Sequence, residues 1–87
     1  MDTTARRYFN QATDSPTAID IREGQVWVTL VDGRVISTPL ERHPWLMNAT
    51  PEQRNNYEIG YVSIWWPELD EGLDVEWILR EAGLIQG

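Results

Sequence analysis

The chain contains no cysteine in 87 residues, and this absence constrains its fold more than any other feature. A chain this short supports one small domain, and small domains are often stabilised by disulfides or a structural metal. Without cysteine, disulfides, thiolate nucleophiles and cysteine-based zinc sites are all excluded. The hydrophobic residues, 41% of the chain, must therefore stabilise the fold by packing alone.

Alternating apolar residues predict a three-stranded antiparallel meander. Its strands span residues 17–22, 25–31 and 34–38. Asp32-Gly33 is typical of a two-residue hairpin turn with positive φ at both positions. A fourth strand over residues 61–66, which is β-branched and aromatic, is expected to join the same sheet.

Helix signals follow the meander and end the chain. Thr50-Pro51-Glu52-Gln53 forms a capping box, which predicts a helix from Pro51 to about residue 58. A short helical turn is expected over residues 44–47, and a last helix over 75–82 with Asp74 as its cap. The predicted fold is α+β, a small antiparallel sheet with two or three short helices packed on one face.

The domain organisation follows from these elements. Residues 1–16 are expected to form a loosely ordered N-terminal lead-in, and residues 17–87 a single α+β domain. The start of the sequence lacks the pattern of a signal peptide, and no apolar run approaches the roughly 18 residues of a membrane span. We therefore expect a cytoplasmic protein without membrane contact.

Negative charge is concentrated near the C-terminus. The net charge is -7, and residues 68–87 carry six acids against one arginine. Such a field repels phosphate backbones and attracts cationic surfaces, so we expect no direct nucleic-acid binding and a basic protein partner. The other interpretation is that the acidic residues form a solvated surface that only keeps the domain soluble.

Five tryptophans are present, and two of them are adjacent. Successive strand residues point to opposite faces, so Trp65 and Trp66 cannot enter the same core. Trp66 is expected in the core, and Trp65 is the first candidate for an exposed binding anchor. Trp77 precedes Ile78 in the last helix and should flank its buried stripe.

The acidic residues around the last turn have two interpretations. Their spacing does not match a calcium-binding loop, so we predict no metal site. As a patch, they could instead dock arginines of a partner. These acids are Glu68, Asp70, Glu71 and Asp74.

Catalytic groups are scarce. His43 is the single histidine, lysine is absent, and no serine lies in a nucleophile elbow. His43 is expected to be a surface or capping residue rather than a base. We predict that the protein is not an enzyme and uses no cofactor.

Two sequence runs carry a family resemblance. They are Asn48-Ala49-Thr50-Pro51-Glu52-Gln53-Arg54 and Trp66-Pro67-Glu68-Leu69-Asp70-Glu71. Over residues 17–80 the chain resembles the prokaryotic family called domain of unknown function 2442. The resemblance implies a compact α+β domain and a proposed toxin–antitoxin association, in which this chain would be the acidic neutralising partner. Tryptophan departs from the family pattern at three positions, which are Trp45, Trp65 and Trp77.

The sequence therefore predicts a non-catalytic protein-interaction module, an acidic antitoxin or inhibitor that binds a basic protein. One alternative is an acidic nucleic-acid mimic that inhibits a nucleic-acid-binding complex. Another is a small ligand-binding domain, which would need a pocket near His43 or Trp66. A homodimer is left open. The candidate partner-binding residues are Trp45, Trp65, Trp77, Glu68, Asp70, Glu71 and Asp74.

Overall fold

Two three-stranded antiparallel sheets form the framework of the protein in a computed structural model, which describes residues 7–86. The first sheet has the order β1-β2-β3, with β1 (Pro16–Arg22), β2 (Gln25–Leu30) and β3 (Val35–Pro39). The second has the order β4-β5-β6, with β4 (Glu58–Ile59), β5 (Ser63–Trp66) and β6 (Glu71–Asp74). The predicted α+β class and the meander are confirmed.

Short helices connect and flank the sheets. They are α1 (Gln11–Asp14), α2 (Pro44–Met47), α3 (Pro51–Asn55) and α4 (Val75–Glu81), with a 3-10 turn at Leu40–Arg42. The capping box of α3 and the Asp74 cap of α4 form as predicted. Within the described residues, no helix has the length and apolar character needed to span a membrane.

The fourth predicted strand does not join the meander. It forms β5, which pairs with β4 and β6 instead. The reason is local: Gly60 and Ser63 close a hairpin, so β4 is already adjacent to β5 in sequence. Because residues 58–59 pair as a strand, α3 ends at Asn55, earlier than predicted.

The turn expected at residues 70–72 lies earlier, over residues 67–70. Glu71 pairs with Trp66 as the first residue of β6, and Asp70 adopts a left-handed φ of 53° to close the turn. Gly72 is therefore a strand residue. This correction matters for the site, because the pairing places Gly72 directly opposite Trp65.

The two-residue turn with positive φ occurs at a different hairpin from the one predicted. Glu23 and Gly24 have φ of 55° and 73°, so the β1–β2 turn has this conformation. Asp32 does not have a positive φ. Instead, Gly33 donates its N–H to the Leu30 carbonyl and adopts a φ of 93°, which gives a three-residue loop with glycine in the left-handed position.

One hydrophobic core joins the two sheets and α4. Val26, Val28 and Leu30 face it from β2, while Ile64 and Trp66 face it from β5. The remaining buried apolar residues are Leu40, Leu46, Leu73, Val75, Ile78, Leu79 and Ile85. Since several of these side chains are fully inaccessible to solvent, the cysteine-free chain still builds a closely packed core.

A buried carboxylate anchors the start of the described chain. Asp14 is inaccessible to solvent and accepts two hydrogen bonds from Arg7, at 2.5 and 2.7 Å. Arg34 also donates to it, and the Asn10 N–H donates at 2.9 Å. Together these donors offset the desolvation of the charge.

The predicted N-terminal lead-in falls partly outside the described residues, which begin at Arg7. Residues 11–14 form α1, whose Asn10 cap accepts from the Ala12 N–H. Its last residue is the buried Asp14. The boundary between lead-in and domain stays a prediction.

We predict that Asp14→Asn lowers the free energy of unfolding at neutral pH by about 3 kcal/mol, the scale for removing one partner of a buried ion pair. The Arg7 hydrogen bonds hold the pKa of the Asp14 carboxyl well below its usual range, with help from Asn10 and Arg34. A depressed folded-state pKa contributes its full stabilisation above the unfolded value of about 4 and loses it progressively as pH falls from there to the folded-state pKa.

Urea denaturation across pH checks this prediction, with the exposed Asp20→Asn as the matched control. The cost of Asp14→Asn should shrink in strong acid, whereas the control should change stability little at any pH. An equal cost for Asp14→Asn at neutral and strongly acidic pH would contradict the assignment.

Candidate functional site

The adjacent indoles of β5 diverge as the sequence predicts. Trp66 is fully buried, and Trp65 is 40% exposed on the other face of the strand. The indole N–H of Trp66 donates to the Arg54 backbone carbonyl at 3.0 Å. The centre of its ring lies 5.4 Å from the ring centre of Trp45 and 6.0 Å from that of Tyr57. Because Trp66 is fixed in this way, Trp65 must point to the opposite side of β5, away from the core.

The outer face of the second sheet is built from three strands around Trp65. Glu58 of β4 and Gly72 of β6 lie directly opposite Trp65, and Asp74 pairs with Ser63 two residues away. Residues directly opposite or two apart share a face of a sheet. We call this surface, made of Glu58, Ser63, Trp65, Gly72 and Asp74, the outer face.

Gly72 provides the space that the Trp65 indole occupies. A Cβ built on Gly72 would lie 3.1 Å from Trp65 Cε3 and 3.3 Å from the Ile64 carbonyl oxygen. Contacts this short require one of the groups to move. The glycine therefore lets the indole lie against the backbone of β6.

The four predicted acids are divided by the structure. Asp74 shares the outer face, and its Oδ1 accepts the Trp77 N–H at 3.3 Å. Glu71 lies opposite the buried Trp66, on the other face of the sheet. Glu68 and Asp70 belong to the turn, where Glu68 accepts a 2.9 Å hydrogen bond from Asn56. All four are exposed, and their role in binding stays a prediction.

The other two candidate tryptophans lie elsewhere. Trp77 is 40% exposed and lines a cleft of about 150 Å³ with Ser37, Arg42 and Glu81. Trp45 is half-buried against the core, with its ring edge-on to Trp66. Of the three, Trp65 alone lies on the outer face. Binding roles for Trp45 and Trp77 stay predictions.

Sequence reasoning missed one acid of the outer face. The capping box predicts a helix that extends to about Glu58, and this prediction hides the strand pairing of Glu58 with Trp65. The signal that could have revealed it is Gly60 followed by two residues and a β-branched strand, the pattern of a second hairpin.

His43 occupies the N-cap position of α2, which is one of the two roles expected for it, but its side chain is buried rather than at the surface. Its Nε2 lies 3.2 Å from the Thr38 hydroxyl, and its ring is edge-on to Trp45 at 6.0 Å. Burial lowers the pKa of His43, and the neighbouring Arg42 acts in the same direction. The residue therefore packs as a neutral side chain.

Metal-binding geometry is not found within residues 7–86. No group of three histidine or acidic side chains is arranged to hold an ion there. The outer face offers separate carboxylates beside an indole, which suits contact with a cationic side chain better than coordination.

The fold and this face define a small α+β domain with an acidic aromatic surface. Comparison with known families matches residues 16–83 to the family described as protein of unknown function DUF2442. The chain belongs to this family, as the resemblance in its sequence implied. Searches of curated proteins and of solved structures each gave no match.

We predict that Gly72→Ala lowers the free energy of unfolding by about 1 kcal/mol. In an ordinary strand the same change is stabilising, because glycine loses more conformational freedom on folding than alanine. The added methyl displaces the Trp65 indole. In a Trp65→Ala background the cost should fall by at least about 0.5 kcal/mol, since the displaced group is gone. A double-mutant cycle from urea denaturation measures this coupling. Equal costs in the two backgrounds would contradict the contact.

Proposed function

We propose that this chain is a non-catalytic protein-recognition module whose outer face binds an arginine side chain of a basic protein. The observation that carries the proposal is an internal precedent. The β1–β2 hairpin already holds an arginine between a carboxylate and an indole, and the β4–β5 hairpin has the carboxylate and the indole without the arginine.

In the first hairpin, Asp20 lies directly opposite Trp27. Arg22 places its guanidinium carbon 4.7 Å from the centre of the Trp27 ring, and its Nε donates to the Asp20 carboxylate at 2.8 Å. A cation over an indole beside a carboxylate combines cation–π attraction with a charge-assisted hydrogen bond.

In the second hairpin, Glu58 lies directly opposite Trp65 in the equivalent register. Each acid is two residues before the closing position of its hairpin, which is Arg22 in the first and Gly60 in the second. Glycine supplies no guanidinium. Within residues 7–86, a cation lies over the ring of Trp27, but none is found over Trp65.

The surrounding charge favours an external arginine. Residues 55–79 contain six acidic residues and no basic residue. The segment that builds the outer face therefore carries only negative side-chain charge, and the resulting field accelerates encounter with a basic partner more than it strengthens the final contact. The exposed indole supplies the short-range affinity.

Neutralisation of the partner is the biological role that we propose for this recognition, as an antitoxin or inhibitor. A basic protein that acts on nucleic acid needs its cationic surface, and an acidic module bound there would block it.

We predict that Trp65→Ala and Gly60→Arg each reduce recovery of the bound partner at least tenfold. Trp65→Ala removes the indole that binds the partner's arginine. Gly60→Arg keeps the indole but covers it with a guanidinium from this chain. Gly60→Ala is the matched control, because it adds the Cβ without the charge. Affinity capture from lysate of the source organism, quantified by mass spectrometry, measures recovery.

Equal recovery by wild type and Gly60→Arg would overturn the proposed arginine site. Competition between the captured protein and DNA, with strong dependence on salt, would identify a partner that binds nucleic acid. If Gly60→Ala reduced recovery as much as Gly60→Arg, the loss would come from the added Cβ and the backbone at residue 60 rather than from the guanidinium, which would contradict the proposed arginine site.

A further inference from the structure

A cleft away from the outer face opens where the two sheets meet. It has a volume of about 430 Å³ and is lined by Ser15, Pro16, Val31, Ile59, Gly60 and Tyr61. The start of β1, the loop after β2 and the β4–β5 hairpin each contribute to it. We call this the seam cleft.

Three exposed apolar side chains lie together at the seam cleft. Tyr61 is 74% exposed, Val31 49% and Ile59 38%. Three such side chains from separate elements, gathered at one depression, form a surface of the kind that marks contact sites. Tyr61 projects from the hairpin turn, so the same patch offers both a protruding ring and a depression.

The walls of the seam cleft are fixed by backbone hydrogen bonds. The Val31 N–H donates to the Ser15 carbonyl at 2.8 Å, and the Gly60 N–H donates to the Ser63 carbonyl at 2.8 Å. Ser15 follows the buried Asp14, which Arg7 and Arg34 hold in place. A preformed depression reduces the ordering cost of binding.

A polar group at the seam cleft lacks a partner. Ser15 is 5% exposed, and its hydroxyl oxygen is buried without a hydrogen bond to any described residue. Buried hydroxyls are nearly always hydrogen-bonded in folded proteins, so Ser15 is an exception in the wall of this cleft, and its oxygen is closed to solvent.

Charge distinguishes this patch from the rest of the molecule. None of the six lining residues is charged, and the nearby Arg7 and Arg34 are balanced by Asp14 and Asp32 through direct ion pairs. A chain with a net charge of -7 repels its own copies elsewhere. Two copies can approach at this neutral surface with the least repulsion.

We infer that the seam cleft binds a second copy of this chain, with Tyr61 of each copy seated in the cleft of the other. A twofold dimer needs one self-complementary patch, and a ring beside a depression satisfies that requirement. The tyrosine side chain has an apolar ring and a polar tip, which suits a depression lined by apolar side chains with solvent at its rim. Gly60 lines the cleft and also closes the hairpin of the proposed arginine site, but Val31 and Tyr61 belong to the cleft alone, so variants at these two residues test this inference separately.

Sedimentation equilibrium over micromolar to millimolar concentration tests the inference. We expect a weak monomer–dimer equilibrium, because the patch is small. Tyr61→Ser should lower the association constant at least tenfold, and added salt should raise it in wild type by screening repulsion. Trp65→Ala should leave the association constant unchanged, which separates this surface from the outer face.

Cross-linking locates the contact. The chain has no cysteine, so Val31→Cys introduces a single thiol at the cleft, and Glu23→Cys introduces one at the turn of the other hairpin as a control. A short bismaleimide should give covalent dimer with Val31→Cys and little with Glu23→Cys, and Tyr61→Ser should suppress it. Circular dichroism confirms that each variant folds.

A monomer throughout the concentration range would overturn the inference. Dimerisation that is insensitive to Tyr61→Ser, or equal cross-linking at residues 23 and 31, would show that any self-association uses another surface. Dimerisation abolished by Trp65→Ala but unaffected by Tyr61→Ser would assign it to the outer face instead.

Discussion

The burial of Trp66 is the interaction on which the rest of the structure depends. Its indole joins β5 to α3 through the Arg54 carbonyl, and Arg54 in turn donates to the carbonyls of Leu46 and Met47 at 3.1 and 2.7 Å. Two side chains, those of Trp66 and Arg54, thereby connect the second sheet to α3 and α2. Because strand residues alternate, the same burial directs Trp65 outward and creates the outer face.

Both hairpins pair an acidic residue with a tryptophan, but they differ in whether an arginine of this chain covers the ring. In the first, Arg22 covers the indole of Trp27, so the aromatic surface is satisfied within the chain. In the second, glycine stands at the equivalent position, and the indole of Trp65 stays available beside Glu58. A difference of one residue type thus separates an internally satisfied surface from one suited to recognition.

Local signals predicted most of the elements, and what was missed has two causes. The capping box at Thr50, the Asp74 cap and the alternation at Trp65 and Trp66 act within a few residues, and all three are found. The second sheet and the pairing of Glu58 arise from a short hairpin, but β4 has only two residues, which are too few to show an alternating pattern. The burial of Asp14 depends on packing between elements, because Arg34 lies 20 residues further along the chain.

The separation of the chain into two sheets also has a kinetic consequence. Every paired strand is joined to its neighbour by a short connection, so each pairing closes a small loop at low entropic cost. Such topologies have low contact order, and proteins of this kind fold rapidly. The contacts between the two sheets span longer stretches of chain, so packing around Trp66 carries most of the loop-closure cost of the fold.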